Sequence, residues 1–323
     1  MSQKITVIIA TYNGERHIIT QLESILFQSR KPDEVIICDD CSTDNTPLVV
    51  NNFINEHNLD WKFNINAANL GYQQNFIQLI LKSTGNIVFF SDQDDIWDLK
   101  KIEIMSKIME DDSNIFALTC NRSYIDENGE LLEHEIVKGF PKASLIKTTI
   151  FTKFEKPIYN GMCMAISRRI AEFISENTEL FVSDTLGHDF ICATVGSALN
   201  GFYFYNEVLA FHRSHSTSLV NSDTKTTSRN AKSRIKYLQK KLSRFQFAIK
   251  VYEKLDDRNV LYSEKKVLHT HMKVYERRLK NFSRGRMGLF SAIPMFRYVF
   301  LKYLPLKIYV KDVAYIAIGT RSV

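Results

Sequence analysis

Strand-like runs alternate with helical runs through the first hundred residues of this 323-residue chain. Four apolar runs have the length and composition of buried strands: Ile5–Ala10, Val35–Cys38, Trp61–Ile65 and Ile87–Phe90. Between them, apolar residues recur at helical spacing in three stretches: Ile18–Leu26, Leu48–Ile54 and Phe76–Leu81. The second helix is expected to begin near Ser42–Asp44, which are capping residue types. A repeated strand–helix unit predicts an open α/β sheet whose strands run mostly parallel.

Beyond Ile115 the pattern is mixed, and strands and helices no longer alternate strictly. Strands are predicted at Phe116–Thr119, Met162–Ile166 and Phe202–Phe211, helices at Arg168–Ser175 and His188–Leu199, and a turn at Asp126–Gly129. Residues 231–282 predict further helices with basic outer faces. One apolar stripe runs along their first part, at Ile235, Leu238, Leu242, Phe245, Ile249 and Tyr252.

Charge divides the chain into two regions of opposite sign. Residues 1–224 hold 18 Lys and Arg against 30 Asp and Glu, whereas residues 225–323 hold 24 against 6. The overall charge of +6 is therefore the sum of −12 and +18. We predict two domains with these bounds, an α/β domain followed by a helical basic region. The chain is 45% hydrophobic and 24% charged, which excludes a disordered or fibrous protein.

The cysteines and the apolar runs indicate a reducing, cytoplasmic location. Five cysteines at irregular spacing do not form a disulfide framework, and an odd number leaves one unpaired. The apolar run at the N-terminus is too short for a signal peptide. No stretch reaches the roughly 18 uncharged apolar residues that a membrane span requires.

Two groups of carboxylates follow alternate predicted strands. Asp39 and Asp40 come directly after the second strand, and Asp92, Asp94 and Asp95 come directly after the fourth. The carboxyl ends of parallel strands meet at one edge of a sheet, so these acids should crowd one crevice. Such crowding is unfavourable unless a cation compensates it, and Mg²⁺ or Mn²⁺ prefers oxygen ligands. The alternative is that these acids are solvated helix starts.

Four segments of the chain resemble the family 2 glycosyltransferases, which bind nucleotide sugars on a GT-A fold. They are VIIATYNG at residues 7–14, VIICDDCSTDNT at 35–46, ANLGYQQNF at 68–76 and FFSDQDDIW at 89–97. A weaker likeness continues through GHDF at 187–190 and FHRSH at 211–215. The SDQDDIW form most resembles the rhamnosyltransferase-like branch, which makes bacterial cell-surface polysaccharides.

The resemblance implies a set of donor-binding residues. Tyr12 would stack near the nucleobase, Asp40 would accept from a ring N–H of the base, and Arg213 would bind the diphosphate. The family often has a basic residue where this chain has Leu70 and Gln74. The full nucleotide- and donor-binding set would be Ala10, Thr11, Tyr12, Asp39, Asp40, Asn69, Gly71, Asn75, Asp92 and Arg213.

The resemblance also implies the metal ligands and the catalytic base. Asp94 and His215 would hold Mg²⁺ or Mn²⁺ on the diphosphate, and Asp95 would support them. Asp189 would take the proton of an acceptor hydroxyl, which is a poor nucleophile without a base. The alternative for Asp189 is a helix-start acid that interacts only with the helix dipole. One base and direct attack imply inversion at the anomeric carbon.

The basic C-terminal region has two interpretations. Interleaved aromatic and cationic residues over 287–318 suit the headgroup region of an anionic membrane. Alternatively, these helices pack on the first domain or form a homodimer contact. The charge alone would allow nucleic acid, but no nucleic-acid-binding motif supports it.

These features predict a metal-dependent, inverting glycosyltransferase that is peripheral at the cytoplasmic face of the cell membrane. The favoured donor is dTDP-rhamnose, with a UDP-hexose as the alternative, and the acceptor is a glycan or a lipid-linked sugar. One rival is a nucleotidyltransferase, which would need a Gly-rich basic loop where residues 11–15 have one Gly and an acid. The other rival is a non-catalytic, membrane-docked assembly protein.

Overall fold

A computed structural model of the chain describes residues 2–133, 137–150, 158–181, 186–214, 231–255 and 262–283. The chain forms two compact units, residues 1–215 and 216–323. The predicted domain boundary between residues 224 and 225 falls outside the described residues and stays a prediction.

The first unit contains a ten-stranded sheet with helices on its faces. The strands are β1 Ile5–Thr11, β2 Glu34–Asp39, β3 Lys62–Ile65, β4 Ile87–Ser91, β5 Ile96–Trp97, β6 Ala117–Ile125, β7 Leu131–Glu133, β8 Leu145–Lys147, β9 Met164–Ser167 and β10 Phe202–Arg213. The helices are α1 Ile18–Leu26, α2 Thr46–Glu56, α3 Tyr72–Lys82, α4 Lys101–Asp111, α5 Arg168–Glu176 and α6 His188–Ala198.

The strand order brings the polar loops to one edge of the sheet. The order is β3-β2-β1-β4-β9-β6-β10-β5, with β7 on β6 and β8 on β10. Strands β3, β2, β1 and β4 are parallel, and β9 runs antiparallel to both β4 and β6. Thr11 pairs with Asp39, and Ile9 pairs with Ser91. The carboxyl ends of β1, β2 and β4 therefore meet at the same edge, as the carboxylate pattern predicts.

Apolar packing on the two faces of the sheet explains the strand and helix patterns. Ile5, Val7 and Ile9 of β1 are fully buried, and they belong to one core with Leu22 of α1 and Val50 of α2. Strands β1, β2 and β4 are buried on both faces, and such strands read as nearly continuous apolar runs. The prediction of a buried strand at Trp61–Ile65 is wrong in one respect, because β3 lies at the end of the strand order and is mostly exposed.

Two features of this unit differ from the sequence prediction. Helix α4 and the two-residue strand β5 are not predicted; Lys101, on the buried side of α4, is fully buried. Its Nζ lies 3.5 Å from the centroid of the Trp97 ring and donates to the Met162 carbonyl, and burial lowers its pKa to about 8. Helix α2 begins at Thr46, beyond the predicted start, and Asp44 accepts a hydrogen bond from the Thr46 amide.

The described residues of the second unit form two helices, α7 Ala231–Leu255 and α8 Tyr262–Ser283. Buried Leu238 of α7 and Phe282 of α8 pack together, so the predicted apolar stripe forms the contact between the helices. The rings of Phe245 and His271 stack with their centroids 5.5 Å apart. In the described part of the chain, no helix combines the length and the apolar character that crossing a membrane requires.

Candidate active site

Asp39, at the end of β2, forms its hydrogen bonds within the protein. It is fully buried, and its carboxylate accepts hydrogen bonds from the Thr11 hydroxyl at 2.8 Å and from the Ser42 amide at 2.8 Å. The Ser42 hydroxyl donates to it as well, at 2.6 Å. Asp39 therefore fixes the turn that follows β2, and its predicted contact with a donor stays a prediction.

Asp40 holds the segment that leads into α3 against the end of β2. Its Oδ1 accepts from the Leu70 amide at 2.8 Å and from Asn66 Nδ2 at 2.9 Å, and its Oδ2 accepts from the Gly71 amide at 2.8 Å. Asn69 Nδ2 donates to the Asp40 carbonyl at 3.0 Å. A carboxylate has roughly four acceptor positions. These contacts leave one for a donor group such as a base N–H.

The remaining predicted nucleoside residues differ in exposure. Asn75 is buried, and its Nδ2 donates to the Cys38 carbonyl at 2.9 Å, which ties α3 to β2. Gly71 precedes α3 with a φ of +79°, a backbone conformation that favours glycine. Tyr12 has 47% of its surface exposed at the end of β1, and Ala10 is half-buried. The structure thus brings the predicted set to one place, with Tyr12 facing outward.

Strand β5 turns the acidic loop, residues 92–95, back onto the end of β10. Ile96 pairs with Phe211 in an antiparallel register. As a result His212 and Arg213 lie against the acidic loop. Asp95 Oδ1 accepts from the Arg213 amide at 3.0 Å and lies 2.9 Å from His212 Nδ1.

The guanidinium group of Arg213 donates hydrogen bonds to backbone carbonyls. Its Nε donates to the Asp94 carbonyl at 2.9 Å, and its Nη1 donates to the Asp126 and Glu127 carbonyls at 3.0 Å each. The residue is only 3% exposed. In this arrangement Arg213 holds the backbone of the acidic loop, and its predicted contact with the diphosphate stays a prediction.

His212, a site residue that could not be identified from the sequence, supplies a positive charge next to the acidic loop. Burial lowers its pKa, but the charge of Asp95 and its hydrogen bond more than offset this and raise the pKa of His212 to about 9. His212 is therefore protonated at neutral pH and paired with Asp95. The predicted residue of this motif, His215, lies outside the described residues.

Negative charge is concentrated at the acidic loop. Burial raises the pKa of Asp92 well above its usual value, and the nearby charges of Asp95, Asp94 and Asp189 raise it further. Asp95 Oδ2 is buried without a hydrogen-bond partner among the described residues. Clustered carboxylate oxygens fit a hard divalent cation such as Mg²⁺ or Mn²⁺. No group of three or more acidic, His or Cys side chains in the described ranges is already arranged around a metal position.

Asp189 lies in the first turn of α6, beside the acidic loop. It is half-buried, and its Oδ1 accepts from the Phe190 amide at 2.6 Å. A Cβ atom on Gly187 would lie 2.4 Å from Asp189 Oδ1, so glycine leaves the space into which this carboxylate folds. The helix N-terminus favours the ionised carboxylate, the form that a general base needs. The charge of Asp189 raises the pKa of Asp92, so the two carboxylates lie within electrostatic range of each other.

His188 fills an aromatic cage immediately before Asp189. Its ring centroid lies 3.9 Å from that of Phe76 and 5.2 Å from that of Phe90. Neither ring nitrogen has a hydrogen-bond partner in the described structure, and burial lowers the pKa of His188 to about 3. Glycine at 161 leaves room for the ring, since a Cβ atom there would lie 2.3 Å from Nε2. His188 is therefore a neutral packing residue that fixes the start of α6.

Replacing His188 with phenylalanine is expected to make the first unit more resistant to acid. The folded-state pKa is depressed from 6.5 to about 3, so the wild-type fold loses stability as pH falls through this range. The loss is roughly 1.4 kcal/mol per pH unit, because only the unfolded chain takes up the proton. The H188F variant lacks this loss. Urea unfolding from pH 7 to 3.5, followed by the fluorescence of the chain's two tryptophans, which both lie in this unit, measures the difference. Parallel pH profiles of the two proteins would contradict it.

Comparison with known proteins identifies relatives of this chain. A family model described as glycosyl transferase family 2 matches residues 6–174. An uncharacterized glycosyltransferase of Nostoc sp. is 31% identical over 141 residues, covering 44% of this chain and 43% of that protein. The Escherichia coli protein WfaP, named as a UDP-Glc:α-D-GlcNAc-diphosphoundecaprenol β-1,3-glucosyltransferase, is 32% identical over 113 residues, 35% of this chain and 44% of that protein. The matches thus span less than half the length of these relatives.

Solved structures share the fold at low sequence identity. Staphylococcus aureus TarS residues 1–349 in complex with UDP-GlcNAc superposes with a TM-score of 0.57 at 14% identity, over 98% of this chain and 90% of that one. The Pyrobaculum calidifontis mannosyltransferase PcManGT, in complex with GDP-Man and Mn²⁺, gives 0.55 at 17% identity, over 99% and 86%.

Proposed function

The chain belongs to glycosyl transferase family 2, and we propose that it is a metal-dependent, inverting enzyme that uses a nucleoside-diphosphate sugar. The family and the GT-A fold predicted from the motifs are thereby confirmed. The observation that carries the proposal is the position of Asp189 in the first turn of α6, near enough to Asp92 for its charge to raise the pKa of that carboxyl.

Asp189 is proposed as the general base of a single displacement. It takes the proton of the acceptor hydroxyl, whose oxygen then forms a bond to the anomeric carbon of the donor sugar. The bond from that carbon to the diphosphate breaks, and the nucleoside diphosphate leaves with the electron pair. The position of Asp189 in the first turn of α6 supports this role, because the N-terminus of a helix stabilises negative charge.

Asp94, with His215, is proposed to hold the divalent cation, and Asp92 is proposed to face the hydroxyls of the ribose or of the donor sugar. The crowding of carboxylates around Asp92, whose pKa they raise, supports this assignment. When bound, such an ion neutralises charge on a leaving diphosphate. His212 and Arg213 keep the loop in position from behind.

The nucleoside is proposed to bind at the ends of β1 and β2. Exposed Tyr12 stacks on the base, the backbone at Ala10 and Thr11 lines the pocket, and the remaining acceptor position of Asp40 takes a base N–H. Asn69 and Gly71 border the nucleoside through their contacts with Asp40. Asp39 and Asn75 support this surface through their buried hydrogen bonds.

The favoured donor is dTDP-rhamnose, and the favoured acceptor is a glycan or a lipid-linked sugar in bacterial cell-surface polysaccharide synthesis. The donor rests on the SDQDDIW segment, residues 91–97. A UDP-hexose is the second candidate, because WfaP is named for UDP-glucose and TarS was solved with UDP-GlcNAc. The name of WfaP, which specifies a diphosphoundecaprenol-linked acceptor, supports the lipid-linked class.

Release of nucleoside diphosphate from a panel of nucleotide sugars tests the enzyme proposal. The panel contains dTDP-rhamnose, UDP-glucose, UDP-GlcNAc and GDP-mannose, each with Mn²⁺ or with EDTA, and with or without undecaprenyl-diphosphate-linked GlcNAc. We expect release from one donor that depends on Mn²⁺ and increases with acceptor. No metal-dependent release from any donor would refute the enzyme and favour the non-catalytic assembly protein.

The C-terminal region is proposed to bind the cytoplasmic face of an anionic membrane. The support is the net charge of +18 over residues 225–323, where cationic and aromatic side chains are interleaved. Deletion of residues 287–323 should reduce co-sedimentation with phosphatidylglycerol vesicles, while phosphatidylcholine vesicles bind neither protein. Unchanged co-sedimentation after the deletion would contradict membrane binding through this segment and favour packing or a homodimer contact.

A further inference from the structure

Gln93 joins the acidic loop to the loop that follows β1. It lies between Asp92 and Asp94, but its amide points to the backbone of Tyr12. Gln93 Oε1 accepts from the Tyr12 N–H at 2.7 Å, and Gln93 Nε2 donates to the Tyr12 carbonyl at 2.9 Å. Both ends of one side-chain amide are therefore satisfied by one backbone residue, which fixes the distance and orientation between the two loops.

Gly14 provides the space for this contact. A Cβ atom at position 14 would lie 2.3 Å from Gln93 Oε1, 2.5 Å from Cδ and 3.0 Å from Nε2, so its three nearest neighbours all belong to Gln93. Gly14 is not among the described glycines with positive φ, which are Gly71, Gly129 and Gly139. Its backbone therefore accommodates alanine. Glycine at this position serves the Gln93 side chain and not the conformation of the turn.

The loop after β1 is held on its other side by the loop after β2. The Asn13 amide donates to the Ser42 hydroxyl at 2.8 Å, and the Gly14 amide donates to the Thr46 hydroxyl at 2.8 Å. The contact of Gln93 with Tyr12 completes a connection from the end of β2, across the end of β1, to the acidic loop after β4.

We propose that Gln93 is a positioning residue that couples the nucleoside half of the donor site to its diphosphate half. This inference rests on the proposed function, which puts the base near Tyr12 and the diphosphate near Asp92 and Asp94. Gln93 itself touches no substrate. By holding the Tyr12 loop at a fixed distance from the acidic loop, it preorganises the site for a ligand that spans both, and less ordering free energy is then lost on binding.

Hydrogen exchange in the ligand-free 323-residue chain tests the contact itself. The Tyr12 amide is bonded to Gln93, so Gln93→Ala and the unbranched apolar variant Gln93→Met should each speed its exchange by at least about tenfold. Gly14→Ala should do the same by displacing the side chain. Gln78→Ala, at a half-buried glutamine on α3, is the matched control and should leave Tyr12 unchanged. Equal Tyr12 exchange in wild type and Gln93→Met would overturn the proposal.

Titration with UDP in the presence of Mn²⁺ then tests the coupling. Gln93→Ala and Gly14→Ala should each weaken UDP binding by about tenfold, whereas the double variant should bind as Gln93→Ala does, because the alanine at 14 no longer meets a side chain. Additive effects would overturn the coupling.

Once the panel has identified the donor, the KM of Gln93→Ala for that donor should rise, while its kcat stays within about twofold of wild type. A fall in kcat of about tenfold without a change in KM would overturn a positioning role. If wild type does not bind UDP, the same titration is made with dTDP, the nucleotide of the favoured donor. If wild type binds neither nucleotide, the donor assignment has failed, and the exchange experiment still decides whether Gln93 locks the loops.

Discussion

Asp189→Asn is expected to lower kcat by about 10²–10⁴-fold while donor affinity stays within about twofold of wild type. Asparagine has the same shape and can still accept the hydrogen bond from the Phe190 amide, so α6 should begin as before. It cannot take up the acceptor's proton. The effect should therefore appear in the chemical step and not in binding. Single-turnover transfer, with donor binding measured separately by titration, separates the two.

Glu176→Gln is the matched control for this substitution. Glu176 is an exposed acid at the end of α5, and its replacement removes the same charge from the first unit at a distance from the acidic loop. This variant should transfer sugar at the wild-type rate. Full activity of Asp189→Asn would show that another group is the base, and a large loss of donor affinity would show that Asp189 binds the donor.

Asp94→Asn is expected to abolish the Mn²⁺-dependent part of nucleotide binding and to lower the transfer rate at least about 10²-fold. The amide keeps an oxygen but loses the charge that attracts a divalent cation. The repulsion that raises the pKa of Asp92 should also weaken, so Asp92 should titrate closer to its usual range. Calorimetric titration of UDP with Mn²⁺ and with EDTA measures the binding, and the carboxyl resonances of the two proteins report Asp92.

Asp111→Asn provides the comparison for the metal prediction. Asp111 is an exposed acid on α4 that pairs with Lys107 at 3.1 Å, and a surface pair of this kind contributes little. The variant should keep both Mn²⁺-dependent binding and activity. If Asp94→Asn binds UDP with undiminished dependence on Mn²⁺, Asp94 is not a ligand of the cation.

The sheet edge that carries the site could be predicted from the sequence. Strands β1, β2 and β4 are mostly apolar and almost entirely buried, and the acids at the ends of β2 and β4 mark the carboxyl ends. Asp39, Asp40 and the acidic loop therefore meet where the parallel register brings them. Asp189 is singled out by the resemblance of GHDF, residues 187–190, to the family, and the structure puts it in the first turn of α6.

The partners of the acidic loop could not be predicted, because they depend on tertiary contacts. Helix α4 has the apolar spacing of a helix at Ile102, Met105 and Met109, but the burial of Lys101 beside them could not be predicted, because lysine is almost never fully buried. His212 gains its role only through the pairing of β5 with β10, and β5 is too short to have a period. In the sequence, Gln93 is a polar residue between two acids, and only the fold shows that its side chain contacts the backbone of Tyr12.

The pairing of β5 with β10 also determines how far the chain can be truncated without disturbing the acidic loop. The region that matches the family ends at residue 174, but both groups that bond Asp95 Oδ1 come from His212 and Arg213 at the far end of β10. A truncation at 174 would leave this buried carboxylate without either donor, and the loop ahead of it without the brace on the Asp94 carbonyl. The shortest fragment that preserves the acidic loop therefore extends through residue 213, about forty residues beyond the limit that family similarity alone suggests.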